Sequence, residues 1–210
     1  LTVAAKMGGS DPDSNPRLRN AILKAKEANM PKDTLERAIK KGSGEIEGVN
    51  YEEFTYEGYG PDGVAILMEI MTDNKNRTAS DVRSIMTKNG GNLGASGCVS
   101  YMFSKKGVIV FDTNVITEDK AFEIAIEAGA DDVVNEGKFI EVYTTPDNFE
   151  SVLKCFDEKN IPHISAEITM VPNSYVTLPK DRAEKVLALI EKLEDLDDVQ
   201  AVYSNLDYEE

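Results

Sequence analysis

The sequence has no tryptophan, one histidine and two cysteines, and it holds no long uncharged apolar run. Each shortage closes off a class of function. Cys98, Cys155 and His163 share no ligand spacing, so no Cys/His metal site is legible, and two distant cysteines do not make a disulfide framework. No stretch approaches about 18 consecutive apolar residues, which excludes a membrane-spanning helix on sequence grounds. A lone His163 after Pro162 has no companion nucleophile or acid in a recognisable motif, and reads as a turn residue. Cys98 and Cys155 read as small buried hydrophobes. Paired acids such as Glu52-Glu53, Asp131-Asp132 and Asp197-Asp198 read as solvated faces and loop ends. The expectation is a protein that is not an enzyme and needs no cofactor or metal, working in the reducing cytoplasm.

Charge is present in excess but unevenly. The chain carries a net charge of -15. Through Ser43 there are nine Lys or Arg against five Asp or Glu, a balance of +4. Beyond it there are fourteen against thirty-three, a balance of -19. Such a body repels polyanions, while its amino-terminal end does not.

That basic end reads as helical. The opening LTVAAKMGG looks like the tail of a helix, and a third helix is expected from the segment upstream. Pro16 presets a helix start, and Leu18, Ala21, Ile22, Ala25 and Ala28 recur on one face. Asn29-Met30-Pro31 breaks that helix, because Pro31 cannot donate and restricts Met30. A second helix follows with Leu35, Ala38 and Ile39 inward, ending at Gly42. The resulting hairpin exposes Arg17, Arg19, Lys24, Lys26, Lys32, Arg37, Lys40 and Lys41, the candidates for nucleic-acid contact. It does not match a helix-turn-helix signature, and no aromatic RNP motif appears later in the chain. Gly42 to Asn50 reads as a connector.

The remainder alternates strands and helices. Tyr51–Tyr59 is an expected strand, Gly60-Pro61-Asp62-Gly63 a turn, and Val64–Met71 a central buried strand. Asp73, Asn74 and Asn76 are helix-start residues, and Ala79, Val82, Ile85 and Met86 form the next helical stripe up to Gly90-Gly91. A glycine loop leads to an expected strand at Cys98–Phe103. Its glycines follow a helix and precede a strand, the reverse of a dinucleotide or P-loop fingerprint, so no nucleotide site is assigned. The helix start is the better anion candidate: Asn74, Lys75, Asn76, Arg77 and Thr78 lie at a strand-to-helix transition that combines exposed backbone N–H groups with two cations.

Lys105-Lys106-Gly107 reads as a turn. From Val108 the pattern is β-α-β-β-α-β: Val108–Phe111, a helix from Thr117 capped by Gly129, Asp131–Val134, Phe139–Tyr143, a helix from Pro146, and Ile164–Val171. The tail adds Val176–Leu178, a helix over Lys180–Leu193 and Val199–Tyr203. Joined to Val64–Met71, the Ala79 helix and the Cys98 strand, it completes a second such set. The expected fold is α+β: an N-terminal helical domain over 1–44, then two ferredoxin-like sandwich modules, one inserted into the other. The discontinuous one spans 51–106 plus 174–210 and the inserted one 107–173.

Four stretches carry a resemblance: NPRLRNAILKAKEANMPKDTLERAIKKG, FTYEGYGPDGVAILMEIMTDNKNRT, KNGGNLGASGCVSYMF and LEDLDDVQAVYSN. They resemble the YebC/PmpR family, which includes mitochondrial translational activators. The resemblance implies three α+β-type domains and no catalytic residues. It implies one of two roles: a DNA-binding transcriptional regulator, or a translation factor that binds ribosomal RNA and protein on the ribosome.

Overall fold

The computed structural model describes residues 1–45, 48 and 50–208. Part of the expected connector over 42–50 therefore lies outside the described residues. The chain parts into two compact units, Leu1–Phe54 with Ile70–Asp81, and Thr55–Glu69 with Val82–Glu210.

The first unit is led by three helices, α1 (Thr2–Gly8), α2 (Pro16–Glu27) and α3 (Lys32–Ser43). Asn15 starts α2: its Oδ1 accepts from the N–H of Leu18 at 3.1 Å, and its Nδ2 donates to the carbonyls of Ala4 and Gly9 at 2.7 and 2.8 Å. One buried amide thus caps α2 and ties it to the end of α1. Asn29, at φ 56°, stops α2. The N–H of Asn29 reaches Lys26 O and that of Met30 reaches Ala25 O, closing the helix end in a Schellman arrangement. α1 packs on both α2 and α3, with Ala4, Ala5 and Leu18 buried and Ile22 and Ile39 against them. Ala28, expected inward, is exposed, because it lies at the C-cap beyond the stripe.

Gly42 does not end α3. The helix runs to Ser43 and Gly44 takes the left-handed C-cap at φ 83°. Gly42 is a packing residue: a Cβ there would stand 2.2 Å from the carbonyl oxygen of Thr2. The opening LTVAAKMGG, expected as the tail of a helix, is helical as α1.

Strands β1 (Glu52–Tyr59), β2 (Ala65–Thr72), β3 (Asn92–Leu93) and, from the far end of the chain, β9 (Val199–Ser204) form one sheet in the order β3-β1-β2-β9. β2 is central and almost wholly buried, as its apolar run predicts. Helix α4 (Lys75–Lys88) follows it. Ala65, Leu67, Val99 and Phe103 form a buried cluster flanked by Tyr59, Met170 and Tyr203.

Residues 98–102 are not a strand. A 3-10 turn occupies Ser100–Met102 and the strand begins at Phe103. The N–H groups that a ladder would use are taken by the carboxylate of Glu57, which accepts from Gly97, Val99 and Ser100, each at 2.9 Å. Val176–Leu178 also departs from expectation. As β8 it pairs in parallel with β10 (Leu206–Tyr208) in a separate two-stranded sheet. Above that pair, Val64, Leu178, Ala183 and Val186 pack with α7 (Lys180–Glu194). The second set is therefore assembled from β1, β2, β3 and β9, not from a Cys98 strand and β8.

The sheet β5-β6-β4-β7 is drawn from 103–172. It comprises β4 (Phe103–Asp112), β5 (Asp132–Asn135), β6 (Phe139–Thr144) and β7 (Ser165–Pro172), with α5 (Glu118–Ala128) and α6 (Phe149–Glu158). All its pairings are antiparallel. This is the split β-α-β-β-α-β order read from the sequence. Its core holds Ile109, Phe111, Ile124, Ile140, Val142 and Phe156, and the rings of Phe111 and Phe156 lie 4.6 Å apart. The expected turn at Lys105-Lys106-Gly107 is continuous strand, with Gly107 opposite both Thr144 and Ile168. Glycine is needed there for closeness: a Cβ would stand 2.5 Å from the Phe149 ring.

Candidate nucleic-acid interface

Helical periodicity sorts the eight hairpin cations by face. Arg37, Lys40 and Lys41 stand three and four residues apart, one stripe along α3. On α2, Arg17 and Lys24 are seven residues apart on one side, and Arg19 and Lys26 seven apart on another.

Pairing sorts them further. Arg17 Nη2 donates to Glu53 Oε1. Lys32 Nζ lies 3.7 Å from Glu36 Oε1. Arg19 donates to the carbonyls of Pro12 and Asp13 at 3.3 and 3.4 Å, which positions its guanidinium without neutralising it. Among the described residues, Lys24, Lys26, Arg37, Lys40 and Lys41 have no carboxylate within 4.0 Å. All five are exposed. The structure thus leaves most of the hairpin's positive charge to face solvent.

Between α2 and α3 lies a feature that the sequence did not announce. A cleft of about 600 Å³ is lined by Pro12, Arg19, Ile22, Leu23, Lys26, Met30, Lys32, Leu35 and Glu36. Its apolar lining comes from Ile22, Leu23, Met30 and Leu35, of which Leu23 is 53% exposed and Met30 37%. The one sequence signal for it was Leu23, a large apolar residue standing off the buried stripe of a basic helix.

The start of α4 is arranged differently. Asn74 Oδ1 accepts from Arg77 N at 3.0 Å, and Thr72 Oγ1 accepts from Asn74 N at 3.0 Å and from Thr78 Oγ1 at 2.8 Å. Lys75 Nζ lies 3.2 Å from Glu52 Oε2 and 5.2 Å from the centre of the Phe54 ring. Arg77 Nη2 lies 2.9 Å from Asp73 Oδ1. Asn76 is exposed. The helix end is therefore capped from within, and both cations sit beside acids that an incoming anion would have to displace.

The residues weighed for chemistry are dispersed. His163 Nδ1 lies 3.7 Å from Asp157 Oδ1 at the end of α6. Burial pushes the Cys98 thiol above its ordinary range, with the charge of Glu57 adding to the effect, so it is held as a thiol. Tyr143 donates to Glu141, and burial together with that carboxylate raises its phenol well above its usual value. Among the described residues no three His, Cys, Asp or Glu side chains converge as metal ligands. Among the described residues no helix is long and apolar enough to cross a membrane.

The sequence matches the TACO1/YebC protein N-terminal domain over residues 1–45 and the TACO1/YebC second and third domain over residues 51–206. A relative from Treponema denticola is 57% identical over all 210 residues and 85% of its own length. One from Trichlorobacter lovleyi is 58% identical over 99% of this chain and 83% of its own. Both are named probable transcriptional regulatory proteins. The crystal structure of a conserved hypothetical protein from Aquifex aeolicus matches with a TM-score of 0.82 at 48% identity, covering all of this chain and 86% of the other. With both parts of the family description matched and relatives above one-half identity along its whole length, this chain belongs to the TACO1/YebC family.

Proposed function

We propose that the protein is a non-enzymatic regulatory protein of the cytoplasm that contacts nucleic acid through the α2–α3 hairpin. The observation that carries this reading is the set of exposed cations that have no carboxylate partner among the described residues, Lys24, Lys26, Arg37, Lys40 and Lys41, in an end of the chain that is net positive. Lysine and arginine that face solvent unpaired can neutralise phosphates and release their counterions. The names of the relatives support transcriptional regulation as the process, and DNA is the target we assign to it. We divide the chain into a hairpin domain over 1–44, a discontinuous domain over 51–106 plus 174–210, and an inserted domain over 107–173. The sheet drawn wholly from 103–172 supports that division.

A second reading, a translation factor that binds ribosomal RNA, is favoured by the charge of -19 beyond Ser43. So acidic a body is poorly suited to lying along a duplex, and better suited to basic protein partners. We propose the start of α4, with Asn74, Lys75, Asn76, Arg77 and Thr78, only as a secondary contact for a single phosphate, which would have to displace Glu52 from Lys75 and Asp73 from Arg77.

The test is a titration of the full-length protein against duplex DNA and against purified ribosomes across a salt series. Salt-steep DNA binding with sequence preference supports the regulator. Co-sedimentation with ribosomes, without discrimination among DNA sequences, supports the translation factor. Replacing Arg37, Lys40 and Lys41 together by Glu weakens whichever binding is found. Unchanged affinity in that variant overturns the hairpin as the contact surface.

A further inference from the structure

We infer that the cleft between α2 and α3 is a pocket for one unpaired nucleotide of a folded RNA, with the base on the apolar floor and the flanking phosphates on its rim. The inference rests on the nucleic-acid reading of the hairpin and adds to it what the cleft takes.

The floor is compact. Ile22 and Leu23 share a single turn of α2, Met30 comes from the turn that follows, and Leu35 faces them from α3. A partner helix anchors through side chains repeated over two turns or more. Four apolar residues gathered at one place suit a single flat group better.

The charges stand where a strand would need them. Arg19 lies one turn before Ile22-Leu23 and Lys26 one turn after, about 10 Å apart along the axis at 1.5 Å per residue. Lys32, at the start of α3 and 3.7 Å from Glu36, is a third cation in the lining. A strand that lowers a base between the helices meets a cation on either side of it. Arg19 is also held in place by the carbonyls of Pro12 and Asp13, so less of its freedom is lost on contact.

The cleft carries one acid, Glu36, with its side chain half exposed beside Lys32. A carboxylate only accepts, and it would repel a second phosphate. It suits the N–H groups on a base edge, or the 2′-hydroxyl that distinguishes RNA from DNA. In a paired duplex the Watson–Crick edges are already bonded, and a base leaves its stack only at the cost of unpairing and unstacking. Loops and bulges of folded RNA offer free edges and unstacked bases. An acidic protein helix would match the cations but would place its charge against Glu36.

The experiment uses the full chain and an RNA stem bearing a single bulged 2-aminopurine, compared with the same stem fully paired and with a DNA stem carrying the same bulge. Binding is followed by anisotropy across salt, and base environment by 2-aminopurine fluorescence. The bulged RNA should bind about tenfold more tightly than the paired stem, the order expected from burying the apolar faces of one base against aliphatic side chains, and its fluorescence should change on binding. Leu23→Asn, uncharged and at a position exposed enough to spare the fold, should erase that preference, read as the ratio of bulged to paired affinity within the same variant. Equal affinity for bulged and paired RNA with unchanged fluorescence overturns the pocket and leaves the hairpin reading standing. Bulged DNA bound as tightly as bulged RNA overturns the assignment to RNA. No binding to any of the three overturns the pocket together with the nucleic-acid reading beneath it. Protection of the cleft by an acidic amphipathic peptide, with no response to the bulge, overturns it in favour of a protein ligand.

Discussion

The carboxylate of Glu57 accepts the backbone N–H of Val99 at 2.9 Å, across forty-two residues of chain. It also holds Gly97 and Ser100, and it is 3% exposed. This one side chain replaces a stretch of β-ladder and folds the glycine loop onto β1. Burial alone would raise its pKa, but the three N–H groups outweigh burial and hold it below its ordinary value of 4.5.

A sign follows for stability against pH. The folded pKa is depressed, so the stabilisation is fully present above the unfolded value and is lost as pH falls through the folded one. Glu57→Gln removes the charge and turns an amide N–H toward donors. It should cost about 1–3 kcal/mol at pH 7, the penalty for unsatisfied buried partners. Urea unfolding of both proteins from pH 7 to pH 3 checks this. The gap between them should narrow below pH 4.5, and a gap that is constant across the series refutes the charge-based account.

Gly107 sits under the ring of Phe149, where a Cβ would also lie 2.4 Å from Thr144 Oγ1. Gly107→Ala should therefore destabilise the sheet β5-β6-β4-β7 by about 1–3 kcal/mol, the usual cost of overpacking a dense core. Amide hydrogen exchange reads this locally: protection should fall in β4 and β6 first. If Gly107 were only a turn residue, alanine would be tolerated.

These two residues also mark where the sequence was legible. Local signals were read correctly where the partner was local. Thr117 caps α5 through Lys120 N, Gly129 closes it in the left-handed region, and the apolar run into β2 is the central strand it looked like. Signals failed where the partner was distant. Gly107 resembled a turn because Phe149 is invisible from its neighbours in sequence. Cys98–Met102 resembled a strand because nothing in that stretch shows the claim of Glu57 on its N–H groups. Gly42 resembled a helix stop because the carbonyl of Thr2 lies forty residues away. In the hairpin, the cations were legible one by one, but which of them faced acids, and that a cleft lay between the helices, were matters of packing.

Asn15 joins α1 to α2 through three bonds while 4% exposed. Asn15→Ala loses an N-cap worth about 0.5–2 kcal/mol and leaves two carbonyls short of a partner. The expected outcome is weaker exchange protection through α2 and a loss of nucleic-acid affinity although no cation has been removed. Asn15→Asp keeps the cap acceptor but cannot donate to Ala4 and Gly9, and should fall between alanine and wild type. Equal affinity in all three proteins would show that binding does not need the hairpin's fold.

The last prediction separates the cations by their partners. Arg17 is already engaged by Glu53, whereas Lys40 and Lys41 face solvent alone among the described residues. A cation that must leave a carboxylate to meet a phosphate gains less from the meeting, because one exposed pair is exchanged for another. Lys40→Ala and Lys41→Ala should each lower the slope of log affinity against log salt by about 1, and Arg17→Ala by clearly less. None of the three should move the urea midpoint appreciably, since exposed pairs contribute about 0–1 kcal/mol. Should Arg17→Ala prove the most damaging to binding with Lys40 and Lys41 silent, the contact would run along the face of α2 that carries Arg17, and the stripe on α3 would be a solvated surface.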